Sequence, residues 1–468
     1  MYGNRQRKQK TSQEGYPRKS AVNTLWAEEV LSLLPTQINE TICEKKHDFL
    51  MEKVIERKNL TAALKRVTQN KGAPGIDGMK VEELLPYLNK EWNTIKEELL
   101  SGTYNPKPVR RSEIKKPDGG VRLLGIPTVL DRFIQQAIQQ VLMPIFDPTF
   151  SHSSYGFRPG RGAKMAVRKA QEYIKDGNIY VVDTDLEKFF DRVNHDILMG
   201  LIAKRIEDKR IIKLIRKYLQ AGIMINGCCM TSEEGTPQGG PISPLLSNIM
   251  LDVLDKELER RGHKFVRYAD DCNIYVRSCR AGTRVIESVK NFLEKRLKLK
   301  VNEKKSAVDF AARRKILGFS FIPGKQAKVR LAKQTIERLK NKIRGLTRRS
   351  SGCSIEQRLE KLNAYLKGWI GYFWLADTPS IFTGIDEWIR RRLRMCLWKQ
   401  WKTWKSKLRN LMSLEIKKLS AIKVALSSKG CWRISITPQM HKALGLAYWQ
   451  EQGLVSLLTR SKELRSFI

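Results

Sequence analysis

The feature that most restricts the fold is an apolar, strand-like run broken by two adjacent carboxylates: Phe265-Val266-Arg267-Tyr268-Ala269-Asp270-Asp271-Cys272-Asn273-Ile274-Tyr275-Val276. Neighbouring carboxylates repel each other and lose hydration when a sheet forms, so folding gains nothing from the pair. A tight turn between strands tolerates it, and divalent cations facing that turn would make it useful. Taken alone, an Asp-Asp pair is most often a solvated turn. A second apolar run lies 85 residues upstream, Ile179-Tyr180-Val181-Val182-Asp183, and continues as Thr184-Asp185-Leu186-Glu187-Lys188-Phe189-Phe190-Asp191. Two such strands side by side would converge their carboxylates on two Mg2+ ions roughly 3.5–4 Å apart. One ion would lower the pKa of an attacking hydroxyl, and the other would hold a triphosphate.

The rest of the chain fits such a polyanionic substrate. Its 468 residues exceed what a single core usually serves. The 88 Lys and Arg against 48 Asp and Glu leave a charge of +40, a field that draws nucleic acids. No run of about 18 apolar residues is present to span a bilayer, and the basic first 20 residues lack the apolar core of a signal peptide. The eight cysteines form no Cys-x-x-Cys pair, which argues against zinc and against a disulfide framework. An intracellular protein with reduced cysteines is expected.

Periodicity predicts helices over 27–66, one of them over 51–64, and again over 79–101, 196–221 and 283–298. The stretch 113–127 reads as a hairpin turning at Asp118-Gly119-Gly120, and 316–322 as a short strand. The mixture predicts an α+β domain with an antiparallel sheet. Past Pro323 helices dominate, Lys and Arg crowd into 325–349 and 390–409, and eight of the ten tryptophans follow residue 368. Boundaries are expected near 323 and 408. Residues 386–404 read as one helix with Ile385, Ile389, Leu393, Cys396, Leu397 and Trp401 as its buried stripe. Arg390, Arg391, Arg394, Lys402 and Lys405 fall largely elsewhere and are expected to track a phosphate backbone. Trp388, Trp398 and Trp404 are candidates for base stacking, although core packing is the commoner fate of such residues.

Taken together, these segments resemble the palm of reverse transcriptases. Tyr268-Ala269-Asp270-Asp271 matches that family's Tyr-x-Asp-Asp hairpin. Thr236-Pro237-Gln238-Gly239-Gly240-Pro241-Ile242-Ser243-Pro244-Leu245 resembles its Pro-Gln-Gly loop, and Ile316-Leu317-Gly318-Phe319 its primer-grip hairpin. The resemblance implies Asp185, Asp270 and Asp271 as metal ligands, joined by the Leu186 carbonyl. It places Phe190 as a steric gate against the ribose 2′-hydroxyl, where plain core packing is the alternative. Gln238, Lys116 and Arg122 would bind the dNTP, and Leu317 and Gly318 the primer. Asp183 and Asp191 receive no metal role.

Further blocks narrow the resemblance to group II intron-encoded reverse transcriptase/maturases. They are Asn70-Lys71-Gly72-Ala73-Pro74-Gly75-Ile76-Asp77-Gly78, Ser154-Tyr155-Gly156-Phe157-Arg158-Pro159-Gly160-Arg161 and Leu362-Asn363-Ala364-Tyr365-Leu366-Lys367-Gly368-Trp369-Ile370-Gly371-Tyr372-Phe373. The run Gly430-Cys431-Trp432-Arg433-Ile434-Ser435, with no paired-cysteine endonuclease after it, resembles the compact bacterial class C lineage. The family implies a right-hand polymerase fold. Its parts would be a basic extension over 1–50, fingers and palm over 51–322, a helical thumb or maturase domain over 323–408, and a C-terminal DNA-binding segment over 409–468. It implies an RNA-directed DNA polymerase that binds intron RNA, assists splicing and copies the intron into DNA during retrohoming. The implied cofactor is a pair of Mg2+ ions, with Mn2+ able to substitute. The implied partners are intron RNA, target DNA with its primer, and dNTPs, but no membrane, in the bacterial cytoplasm and at the nucleoid. Two rivals remain: a domesticated polymerase in repair or defence, and a splicing cofactor that does not polymerise. Intact carboxylates at all three positions argue against the second.

Overall fold

The computed structural model describes residues 49–115, 121–225, 228–230, 235 and 239–466. Lys116, Gln238, the turn at 118–120 and all but the last two residues of the expected 1–50 extension lie outside the described residues. Ten strands occur among them: β1 (Val109–Lys115), β2 (Val121–Ile126), β3 (Tyr180–Thr184), β4 (Ile223–Ile225), β5 (Cys228–Met230), β6 (Lys264–Tyr268), β7 (Asp271–Val276), β8 (Ala307–Phe310), β9 (Phe319–Phe321) and β10 (Val329–Leu331). The chain forms two compact units, each built from three stretches of sequence.

The first unit comprises residues up to 152, then 186–257 and 290–301. Its core is helical. The helix expected over 51–64 is two, Leu50–Ile55 and Arg57–Asn70, because Glu56 adopts an extended ψ of 134° between them. Helix Val129–Phe146 buries eleven of its residues and is capped by the Thr128 hydroxyl, which accepts from Asp131 N–H. The expected hairpin is present, with Lys115 paired to Val121 in antiparallel register, and it begins earlier, at Val109. It forms the sheet β2-β1-β4-β5, in which β1 and β4 run parallel. The single helix expected over 196–221 is also two, His195–Ala203 and Lys209–Gln220. Asp208 separates them by capping the second, and its other oxygen accepts the Met51 N–H at 3.0 Å.

The second unit comprises residues 153–185, 258–289 and 302 onward. Its sheet is wholly antiparallel, in the order β6-β7-β3-β8. On one face Val182, Val276 and Val308 meet Gly282 in the helix that begins at Cys279. On the other, Val181, Val266 and Tyr275 share a core with Ala166, Val167 and Ala170 of helix Ala163–Lys175. That core runs on through Phe319 and Leu362 to Trp398 and Trp449. Strand β10 lies beyond Pro323 and pairs with β9, so the switch from strand to helix comes at Lys333, within one apolar core. Helix Pro379–Gln400 buries Ile385, Ile389, Leu393, Cys396 and Leu397 of the expected stripe, while Trp401, just past its end, is only half-buried. It stops four residues short of the expected end, and Thr403 caps a separate helix, Trp404–Ser413. No helix among the described residues is long and apolar enough to cross a membrane.

Candidate active site

Cross-strand partners in an antiparallel sheet present their side chains on the same face. Asp183 stands opposite Asn273, and Tyr268 opposite Asp271, across the shared strand β7. Alternation along β7 therefore sets Asp183, Asn273 and Asp271 on one face, and Asp185 follows two residues after Asp183 at the strand's end. The β6–β7 hairpin turns on Ala269 and Asp270 alone. Ala269 takes a φ of 58°, a region alanine seldom visits, so its surroundings must hold it there.

Those surroundings are visible. The Arg267 guanidinium, with 0% of the residue exposed, donates from Nη1 to the Ala269 carbonyl at 2.9 Å and from Nη2 to Ser154 Oγ at 2.8 Å. Tyr155 N–H donates to the Arg267 carbonyl, and Arg267 N–H to the Ser153 carbonyl, each at 2.9 Å. Gly156 completes the support: a Cβ there would lie 2.3 Å from Ala269 N, so only glycine lets this segment close on the turn.

Electrostatics gather at the same end of the sheet. The Asp271 carboxyl is pushed up to about 6, first by desolvation and then by the charges of Asp270, Asp183 and Asp185. The side chain keeps an open surface while protein crowds it on the remaining sides, so the repulsion from its neighbours is only partly screened. Asp183 is raised as well, by burial, against an opposing pull from Arg314. Arg314 Nη2 donates to Asp183 Oδ2 at 2.5 Å and Nε to the same oxygen at 3.2 Å. Asp185 is gripped by a turn: its N–H donates to Ser306 Oγ at 3.0 Å, and Asn302 Nδ2 donates to its Oδ2 at 3.0 Å. Among the described residues no three Asp, Glu, His or Cys side chains stand in a ready-made metal shell. The donor set nonetheless suits a hard divalent cation, being all oxygen and carrying like charges that a cation would relieve. Sequence reasoning missed Arg267, Asn302, Ser306 and Arg314. The last three contact Asp185 or Asp183 from 117 to 131 positions away, and no local pattern marks them.

In the first unit, Leu186 is buried and bridges to Val301. Phe190 and Phe189 meet edge to face, 5.1 Å apart, but only Phe189 is buried. Phe190 remains half-exposed. Arg122 sits in β2 opposite Ile114. In the second unit, Leu317 and Gly318 take left-handed φ values of 51° and 86° between Ile316 and Phe319, which bond each other. Tyr372 donates to the Leu317 carbonyl at 3.2 Å and Thr335 Oγ1 to that of Gly318 at 2.7 Å, which fixes this turn against the helices.

Residues 114–321 match the family model for reverse transcriptase (RNA-dependent DNA polymerase), and 336–414 match the group II intron maturase-specific domain. The chain is 34% identical to protein YkfC of Escherichia coli over 55% of its own length and 78% of that protein's. It belongs to the group II intron reverse transcriptase/maturase family. It is 38% identical to the group II intron-encoded protein LtrA of Lactococcus lactis, a match covering 44% of this chain and 34% of LtrA. An uncharacterized 91 kDa protein in a cob intron of Schizosaccharomyces pombe is 36% identical over 41% of this chain and 22% of its own. The reverse transcriptase is thus an RNA-directed DNA polymerase with the α+β right-hand fold of its family.

The basic helix of this reverse transcriptase corrects part of the expected nucleic-acid surface. Arg394 is 4% exposed, and its guanidinium donates to the carbonyls of Ser435 at 2.8 Å and Leu444 at 3.3 Å. Burial, then Arg390 and Arg391, pull it down to about 10. A side chain committed to buried carbonyls has nothing left for phosphate. Arg391 is half-buried over the Trp432 ring, 3.7 Å from its centroid, and donates to the Trp432 carbonyl. Arg390 is half-buried, and Lys402 and Lys405 are exposed, as a phosphate contact requires. Trp398 is buried, Trp404 is exposed, and Trp388 is flanked by Lys340, Arg344 and Arg392 at 5.9, 5.6 and 5.3 Å.

Proposed function

We propose that this reverse transcriptase binds the RNA of its own group II intron, assists its splicing and copies it into DNA at the insertion site. One observation carries the reading: four carboxylates meet at one end of a sheet whose own fold commits two arginines to arranging them, in a chain that also carries the maturase-specific domain. Asp185, Asp270 and Asp271, with the Leu186 carbonyl, would hold two Mg2+ ions, and Mn2+ would substitute. Bound there, such cations supply positive charge that acidifies a primer 3′-hydroxyl and stabilises departing pyrophosphate. The chain's own part is positioning. Arg267, Ser154 and Gly156 fix the turn that presents Asp270 and Asp271, and the turn at Leu317-Gly318 would steady the primer. Phe190 would wall off a 2′-hydroxyl, with Lys116, Arg122 and Gln238 on the dNTP. Lys402 and Lys405 would contact phosphate.

The regions follow as fingers and palm over 51–322, thumb over 323–408, and a DNA-binding segment over 409–468. Target DNA and dNTPs are then the remaining partners, in the cytoplasm and at the nucleoid. The test is primer extension on poly(rA)/oligo(dT) and intron RNA binding, both measured on Asp270→Asn. An amide is a poor Mg2+ ligand, so extension is expected to vanish while RNA binding persists. Extension within about tenfold of wild type, a barrier change of only about 1.4 kcal/mol, would overturn the metal assignment.

A further inference from the structure

Asp183 and Asp185 lie two positions apart at the end of β3, and their environments differ in kind. Asp183 is answered by a cation, since Arg314 donates twice to its Oδ2. That pairing offsets its negative charge, so its carboxylate is a weaker draw for a cation than one held by neutral donors. Among the described residues, the contacts to Asp185 come from neutral groups. The Asn302 backbone N–H donates to the Asp185 carbonyl at 2.8 Å, and Asn302 Nδ2 donates to Oδ2 at 3.0 Å. Ser306 Oγ accepts the Asp185 N–H at 3.0 Å, and Ser306 N–H donates to the Asn302 carbonyl at 2.8 Å, closing the turn on itself. One short turn therefore holds Asp185 by its amide, its carbonyl and one carboxylate oxygen, while leaving its negative charge intact.

We infer that Asn302 is a positioning residue for Asp185, setting which carboxylate oxygen faces a divalent cation. A carboxylate oxygen that accepts an amide N–H has one lone-pair direction fewer for a metal, so Oδ1 becomes the oxygen presented. The amide also stops rotation about the Cβ–carboxyl bond, which otherwise costs entropy each time a cation binds. The same contrast selects Asp185 over Asp183 as ligand, a choice the spacing in the sequence does not make. The inference rests on the metal reading above and adds one residue to it.

The test uses the full-length protein and Mn2+ as probe, with free Mn2+ followed by electron paramagnetic resonance. Asn302→Ala deletes the amide and keeps the backbone hydrogen bond to Asp185. Its Mn2+ affinity is expected to fall about tenfold, the lower end of what removing such an outer partner costs. The Mg2+ concentration giving half-maximal extension is expected to rise in step, with KM for dNTP unchanged at saturating Mg2+. Asn302→Gln, which retains an amide donor, is expected to recover most of the loss. Asn302→Ser, suited to a turn but too short to reach Oδ2, stands in should the alanine variant fail to fold, with the same loss expected. Wild-type Mn2+ affinity in the variant lacking the amide would overturn the inference. So would a lowered melting temperature with metal affinity unchanged, which would reduce Asn302 to a brace. Asp185→Asn separates this from failure of the parent reading. If Asp185→Asn extends primers normally, the metal assignment itself falls. If Asp185→Asn is inactive while Asn302→Ala binds Mn2+ normally, only the positioning role falls.

Discussion

The catalytic sheet and the helix Pro379–Gln400 are both conspicuous in sequence for charge set into apolar pattern, and the structure puts that charge to opposite uses. At the sheet, Asp183, Asp185, Asp270 and Asp271 crowd together, and the other three raise the proton affinity of Asp271. Among the described residues Asp183 is the one of the four that forms an ion pair, with Arg314, and the mutual repulsion of the carboxylates does nothing for folding. On the helix, Arg394 and Arg391 are part of what holds the C-terminal segment: one ties the Ser435 and Leu444 carbonyls, the other stacks on Trp432. A buried charge whose partners are backbone carbonyls is architecture. Like charges gathered beside open surface are what a bound cation would relieve.

Four sets of substitutions probe the opposed roles of these charges. The largest effect is expected from Asp270→Asn, a loss of extension of about a thousandfold, matching several kcal/mol of lost transition-state charge stabilisation. Its fold should gain rather than lose. Asp271 titrates near 6 in the folded state against an ordinary value of 3.8, so between those values the folded form holds the extra proton. Stability of the metal-free protein therefore falls as pH rises through that window. Removing Asp270, the second cause of the shift, should flatten the fall, as melting curves in EDTA from about pH 4 to 7 will read. An unchanged slope would mean that the carboxylates do not sense each other.

Arg394→Ala is expected to be the mirror image, costing about 2–5 kcal/mol of stability by stranding two buried carbonyls. Chemical denaturation measures it, with short-template extension retained at low temperature. A neutral result would return Arg394 to the surface. The buried and half-exposed members of the Phe189–Phe190 pair offer a smaller contrast. Phe190→Val should lower the dNTP-over-rNTP ratio of kcat/KM by tens of fold, within the range that shape discrimination spans. A constant ratio with normal dNTP use would leave Phe190 without a gating role. The smallest effect is expected from Lys402→Glu with Lys405→Glu. Intron RNA affinity should drop, with a salt slope shallower by about one unit for each phosphate no longer neutralised, while melting temperature and short-template extension hold. Reversal at Arg390, Arg391 and Arg394 together would not test RNA binding, because it unfolds the segment first.

Much of the catalytic sheet was legible because alternation of apolar residues is local: β3, β6, β7 and the Ala269-Asp270 turn stand where the pattern puts them. The break between His195–Ala203 and Lys209–Gln220 was not legible, since it depends on Asp208 also reaching the Met51 amide. Arg394 misled for a similar reason. It lies off the apolar stripe of its helix, as the periodicity has it, but helices Cys431–Ile434 and Pro438–Ala443 cover that side too. Asp386, on the same helix, accepts the Leu457 and Leu458 amides and so belongs to the same second layer. Periodicity reports one buried face; it is silent when a later segment buries another.

The pairing of Asp183 with Asn273 has a consequence for how the gene tolerates change in length. A strand repeats every two residues, so the gathering of these carboxylates on one face depends on parity. Inserting one residue within β3 ahead of Asp183 would carry Asp183 and Asp185 through the sheet to the side that Gly282 and its helix occupy, while Asp271 stayed behind. Inserting two would return them to the original side, displaced by roughly 7 Å along the strand. An odd change in length there is expected to cost more primer extension than an even one, because only the even one keeps the carboxylates on a common face.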